Sequence, residues 1–307
     1  LAHPAEADIL EMGVPVVVLT NQSLDRRAVL GRLLRVAGAV AIGGGAYWAW
    51  GTGVESAGTD GIEVTLLDAR GGPWPLRRSL PGAVRVQWQD FAEPTMPRRG
   101  YLLPDRAELC RRLAAVGVRP GRPVVVVGDG SNGWGEEGRV AWMLGFLGVN
   151  DAQPVSVEEW TRTRHGFRPV RDAAPEWVPT LDDSLRRDVR TAPAGAVVLD
   201  ARGRDEFLGT PKYGEARGGH VPGALHLAWD RFIDPSTGSY DLAALRAHLS
   251  SLAVPSDAII VCYCTGGVRS SYLTVRLRQA GFRRAANDDG GMWAYAASDG
   301  PLVTGGE

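Results

Sequence analysis

The chain has 307 residues, 44% of them hydrophobic and 22% charged, with a formal net charge of -1. That length suits about two globular domains, and the balanced charge excludes an overall basic field for nucleic acid or an anionic membrane surface. The three cysteines are too few for a disulfide framework, no C-x2-C pair or histidine cluster suggests a metal site, and no cofactor is implied.

The first element in chain order is the stretch LDRRAVLGRLLRVAGAVAIGGGAYWAWGTG within residues 1–59. Arg26, Arg27, Arg32 and Arg35 precede an apolar run rich in Gly and Ala, which is the order of an export signal. The arginine pair followed by Ala28, Val29 and Leu30 is similar to a twin-arginine signal. Asp25 and the missing A-x-A cleavage site depart from that pattern, and Met12 is the expected true start. The segment is expected to give a periplasmic or envelope address, either cleaved or kept as an anchor through residues 33–50. The alternative is a buried helix of a cytoplasmic protein.

The remaining chain contains one unit twice. TLLDARGG at 65–72 answers VVLDARGR at 197–204, and LPGAVRVQWQDF at 80–91 answers VPGALHLAWDRF at 221–232. PVVVVGDG at 123–130 answers AIIVCYCT at 258–265, with Asp129 where Cys264 stands. In each unit a helical pattern ending in Gly follows. Around Cys110, Leu109, Leu113 and Ala114 share a helical face, which predicts a buried, inert thiol. Continuous apolar strands alternating with helices predict an α/β fold, each unit a mostly parallel sheet flanked by helices. The predicted domains are 60–170 and 190–307, joined by a linker at 171–189.

CYCTGGVRSS, residues 262–271, stands at the carboxyl end of such a strand, where ligands of parallel sheets bind. A free thiol with a pKa near about 8.5 is mostly protonated at neutral pH, and a drop of about two units would make the thiolate the majority form. Thr265, Gly266, Gly267 and Val268 lead into a helix, so their N–H groups and the helix start favour an anion on Cys264. A cation at a helix start is unfavourable by roughly 0.3 to 1 kcal/mol, so Arg269 predicts negative charge nearby. Cys262, two residues back on the strand, is predicted to be core. The first unit's loop, GDGSNGWGEEGR, has no cysteine but carries Asp129, Glu136 and Glu137, which predicts a catalytically silent unit; metal binding by the three acids is the alternative.

From about residue 60 onward the sequence resembles a tandem-domain rhodanese, a thiosulfate sulfurtransferase. The resemblance rests on the doubled L-D-A-R, on GHVPGA at 219–224, on the loop CTGGVR and on DGGMWAY followed by GPLVTG. It implies that Cys264 takes sulfur from thiosulfate as a persulfide and passes it to cyanide or a thiol acceptor. Residues 265 to 269 would hold the persulfide, and Arg269 would steady the loop or meet the donor. The position of a donor-binding arginine in animal enzymes aligns with Glu206, which leaves Arg204 and Arg217 as possible donor contacts. Arg202 and Glu206 are predicted to brace the strand end, and His220 to be a structural hydrogen-bonding residue. Phosphatases of related fold have five residues between Cys and Arg. Here Cys264 and Arg269 are separated by four, which favours sulfur over a larger oxyanion. A 3-mercaptopyruvate enzyme and a non-enzymatic persulfide carrier are the alternative readings.

Overall fold

The computed structural model describes residues 61–72 and 78–305. The expected signal or anchor within 1–59 lies outside the described residues, and no helix among those described is long and apolar enough to cross a membrane.

The runs predicted as strands form two parallel sheets. In the first half, β1 (Ile62–Asp68) lies between β2 (Val84–Arg85) and β3 (Val124–Gly128), with β4 (Ala152–Ser156) beyond β3. A short β5 (Phe167–Pro169) pairs with the start of β1. The second half has β6 (Val197–Asp200), β7 (Leu225–His226), β8 (Ile260–Tyr263) and β9 (Ala285–Asn287) in the order β7-β6-β8-β9. The first half's main path has the matching order β2-β1-β3-β4.

Parallel neighbours require crossovers, and helices supply them. In the first half they are α1 (Arg106–Ala115), α2 (Glu136–Phe146) and α3 (Val157–Thr163). In the second half they are α4 (Arg204–Leu208), α5 (Leu242–Ser251) and α6 (Val268–Gln279), and α7 (Gly291–Tyr295) follows the last strand. Every residue of β3 and of β8 is buried, which is why their sequences are continuously apolar instead of alternating. Each fully buried Val or Leu contributes about 1.5–3 kcal/mol. Asp105 and Asp241 cap α1 and α5 by accepting from Glu108 N (3.0 Å) and Ala244 N (2.9 Å), so both helices begin where a short acceptor side chain stands.

The two L-D-A-R strand ends make the same brace, part-buried in the first half and fully buried in the second. Arg70 Nε and Nη2 donate to Asp68, both at 2.8 Å, and Arg202 Nε and Nη2 donate to Asp200 at 2.9 and 2.6 Å. Arg202 Nη2 also reaches Gly219 O at 2.7 Å, tying the G-H-V-P-G-A turn to the strand end. Residues 171–189, expected to act as a linker, are packed against both halves. Trp142 Nε1 donates to Leu185 O (2.8 Å), Leu185 joins the first core, and Val189 joins a core of the second half.

Helices α2 and α6 lie against each other. A Cβ on Gly138 would stand 2.4 Å from Tyr272 Cα, so only glycine permits this approach. The contact sets the start of α2 beside the loop that leads into α6.

Candidate active site

The turn after β8 gathers the residues singled out from the sequence. Side chains alternate along a strand, so Cys262 and Cys264 share one apolar cluster while Tyr263 belongs to another. Burial pushes the Cys262 thiol up to about 12 and that of Cys110 up to about 11. Both are therefore protonated and inert at neutral pH.

Cys264 opens the turn. Its carbonyl accepts from Met292 N and the Thr265 carbonyl from Trp293 N, each at 2.9 Å. The Gly267 carbonyl accepts from Ser271 N (3.3 Å), Arg139 Nη1 (3.4 Å), Asn287 Nδ2 (3.4 Å) and the Ser271 hydroxyl. In a trans peptide the N–H lies opposite the C=O. With those carbonyls held by partners outside the loop, the N–H groups of Thr265, Gly266 and Val268 are turned away from those partners. Gly267 takes φ +79°, and a Cβ on Gly266 would stand 2.0 Å from Trp293 Cζ3. The two glycines therefore allow the chain to curl this tightly. Convergent N–H donors at a helix start stabilise an anion.

Arg269, on the first turn of α6, answers the expectation of nearby negative charge in a specific way. Its Nη1 and Nη2 donate to Glu206 Oε2 (2.7 Å) and Oε1 (2.8 Å), and Nη2 also donates to Thr265 Oγ1 (2.7 Å). Both partners are buried. Burial opposes charge on each of them, yet the paired hydrogen bonds hold Glu206 below the usual carboxylate range and Arg269 above its own, with Cys264 adding to the field on Arg269. Thr265 Oγ1 also lies 3.1 Å from Glu206 Oε1 and 3.2 Å from Glu215 Oε1. The other oxygen of Glu215 accepts from Lys212 N (3.1 Å) and Tyr213 N (2.8 Å). Trp134 and Tyr213 flank the Arg269 guanidinium, each ring centroid at 5.5 Å.

The equivalent turn after β3 is built differently. Asp129 Oδ2 accepts from Gly71 N (3.1 Å) and Glu136 Oε2 from Trp134 N (2.8 Å). Glu137 is fully buried with neither oxygen hydrogen-bonded, and burial pushes it up to about 8. Among the described residues no group of three or more His, Cys, Asp or Glu could hold a metal ion.

The family model of the rhodanese-like domain matches residues 183–298. The thiosulfate sulfurtransferase of Pseudomonas aeruginosa is 28% identical over 236 residues, covering 72% of this chain and 84% of that protein. Residues 183–298 are a rhodanese-like domain. The sulfur carrier protein TtuD of Thermus thermophilus is 26% identical over 251 residues, 74% of this chain and 86% of that protein. Among solved structures the chain resembles Tum1 of Saccharomyces cerevisiae with a TM-score of 0.64 at 19% identity, over 80% of this chain and 92% of that one. It also resembles wild-type EanB with a TM-score of 0.67 at 18% identity, over 82% of this chain and 66% of the EanB chain. These two likenesses concern the fold.

Within this rhodanese fold several predicted roles shift. Glu206 was expected to brace the strand end, but it holds Arg269 and so braces the reactive loop. Arg202 does brace the strand end, through Asp200. Arg217 was a possible donor contact. Its guanidinium instead donates to the carbonyls of Ala296 (3.0 Å), Ser298 and Gly300 (2.9 Å), clamping the C-terminal segment. Arg204 is exposed at the first position of α4. His220 is structural, with Nδ1 2.8 Å from Phe207 O and its ring stacked on Phe207. Arg139, Glu215 and Trp293 were not singled out for the loop. Trp293 lies in DGGMWAY and Arg139 ends GDGSNGWGEEGR, but neither stretch by itself points to the loop, because these roles arise from contacts between distant segments.

Proposed function

We propose that the protein is a thiosulfate sulfurtransferase built from two tandem rhodanese-like domains, a silent one at 60–170 and a catalytic one at 190–307. The Cys264 thiolate attacks the outer sulfur of thiosulfate. A new S–S bond forms as the donor's S–S bond breaks, and sulfite leaves with its electron pair. The N–H groups of Thr265, Gly266 and Val268 hold the anionic terminal sulfur of the persulfide. Cyanide or a thiol then attacks that sulfur, and Cys264 departs as the thiolate. The transfer is balanced without a redox partner or cofactor.

The observation that carries this reading is the buried turn from Cys264 to Arg269, only four residues between them, with its Cys264, Thr265 and Gly267 carbonyls held from outside the turn. Sulfur delivery to a protein acceptor is the second reading, favoured by the similarity to a protein named as a sulfur carrier. The twin-arginine-like pattern supports a cell-envelope location. Initial rates with thiosulfate and with 3-mercaptopyruvate, cyanide being the acceptor, test the donor. A higher kcat/KM for thiosulfate is expected; turnover with 3-mercaptopyruvate alone would replace the proposed donor.

A further inference from the structure

The charge around the reactive loop raises a problem that its own residues leave open. A thiolate or persulfide needs positive potential, but Arg269 is matched by two hydrogen bonds to Glu206. Glu215 adds a second carboxylate beside Thr265. Arg186, a cation of the connecting segment, is paired with Asp289 at 2.8 Å. The other Asp289 oxygen accepts from Leu102 N (2.9 Å).

Arg139 is different. It belongs to α2 in the first half, is 1% exposed and has no ion pair among the described residues. Its Nη1 donates to Gly267 O at 3.4 Å and its Nη2 to Gly100 O. A Cβ on Gly267 would stand only 2.9 Å from Nη1, so the guanidinium sits directly behind the turn. These two carbonyl oxygens accept from the guanidinium without cancelling its charge, and in a buried site that charge is poorly screened. Burial pulls Arg139 down to about 10, with Asp289, Arg186 and Cys264 also acting on it. It remains protonated at neutral pH.

We propose that Arg139 is a positioning residue for Cys264, pinning the Gly267 carbonyl so that Val268 N–H faces the sulfur and lending the loop the positive charge that Glu206 takes from Arg269. The inference rests on reading Cys264 as the nucleophile. It gives the half whose strand-to-helix turn lacks a cysteine a direct part in the chemistry of the other half. The charged or titratable groups around Cys264 are then Cys262 on β8, Arg269 with Glu206 and Glu215, Arg139 from α2, and Asp288 and Asp289 after β9.

The test is the pH dependence of Cys264 alkylation by iodoacetamide, located by fragment-ion sequencing of the peptide that also holds Cys262 and checked by the thiolate ultraviolet absorbance that is lost in Cys264→Ser. Cys110 and Cys262 titrate too high to interfere. In Arg139→Met the midpoint is expected to rise by about one unit, making alkylation about tenfold slower at pH values below both midpoints. Arg139→Lys, which keeps the charge but loses the fork, should fall between the two. If Arg139→Met does not fold, Arg139→Gln is read in the same way, and if only the lysine variant folds its midpoint must still lie above wild type. A midpoint equal to wild type in whichever variant folds overturns the proposal, even if sulfur transfer drops. Alkylation needs no sulfur donor. A wild-type protein that alkylates as expected but accepts no sulfur therefore counts against the transfer reading and leaves this one standing.

Discussion

The two strand-to-helix turns, after β3 and after β8, start from similar material and end with opposite electrostatics. Each follows a fully buried strand and enters its helix through a left-handed glycine, Gly135 at φ +77° and Gly267 at φ +79°. After β8 the second helical residue is Arg269, matched by Glu206. After β3 it is Glu137, buried with both oxygens unpartnered and held protonated at neutral pH. The first turn thus carries a neutral acid, whereas the second carries a satisfied ion pair beside a thiol. An anion-binding turn therefore needs more than a glycine at a helix start: the polar groups behind it must have partners.

Four substitutions test that contrast. Cys264→Ser should abolish sulfur transfer while leaving the fold intact, measured by cyanide-dependent turnover and by circular dichroism. Glu206→Ala leaves Arg269 as a buried charge without its partner. A loss of about 3–5 kcal/mol in unfolding free energy is expected, together with loss of transfer. An unfolding midpoint in urea close to wild type would mean that the pair does not organise the loop.

Glu137→Gln probes the other turn through pH. The folded pKa of Glu137, about 8, lies above its ordinary value of 4.5. Its contribution is then fully present below about pH 4.5 and is lost as pH rises through about 8, on the order of a few kcal/mol. The glutamine variant carries no such loss, so its stability relative to wild type should increase between pH 5 and pH 8.5. A difference independent of pH would place a charged Glu137 in the folded state. The smallest effect is expected from Cys262→Ser, which should keep most of the transfer rate. Loss equal to that of Cys264→Ser, with folding intact, would indicate a dithiol mechanism.

The parts legible in the sequence are those written in short range. The apolar runs before Gly128 and Cys264 identify buried parallel strands, because burial on both faces leaves no polar alternation. The spacing from Cys264 to Arg269 and the doubled L-D-A-R are likewise local, and so is the brace that Asp200 and Arg202 form. What the sequence leaves hidden depends on long-range contact. Glu206 meets Arg269 across 63 residues, and Arg139 meets Gly267 across 128. Nothing in the neighbourhood of either residue announces its partner. Arg217 is the opposite case: a basic residue just before the G-H-V-P-G-A turn suggests a substrate contact, whereas the backbone carbonyls of Ala296, Ser298 and Gly300 account for it.

The central claim is that Cys264 alone carries the transferred sulfur. Incubation with thiosulfate, followed by proteolysis and peptide mass measurement without reduction, tests it directly. A gain of one sulfur atom on the peptide containing Cys264, discharged by cyanide and absent from Cys264→Ser, is the predicted result. No gain with thiosulfate or 3-mercaptopyruvate, or a gain on Cys262 or Cys110 instead, would contradict it.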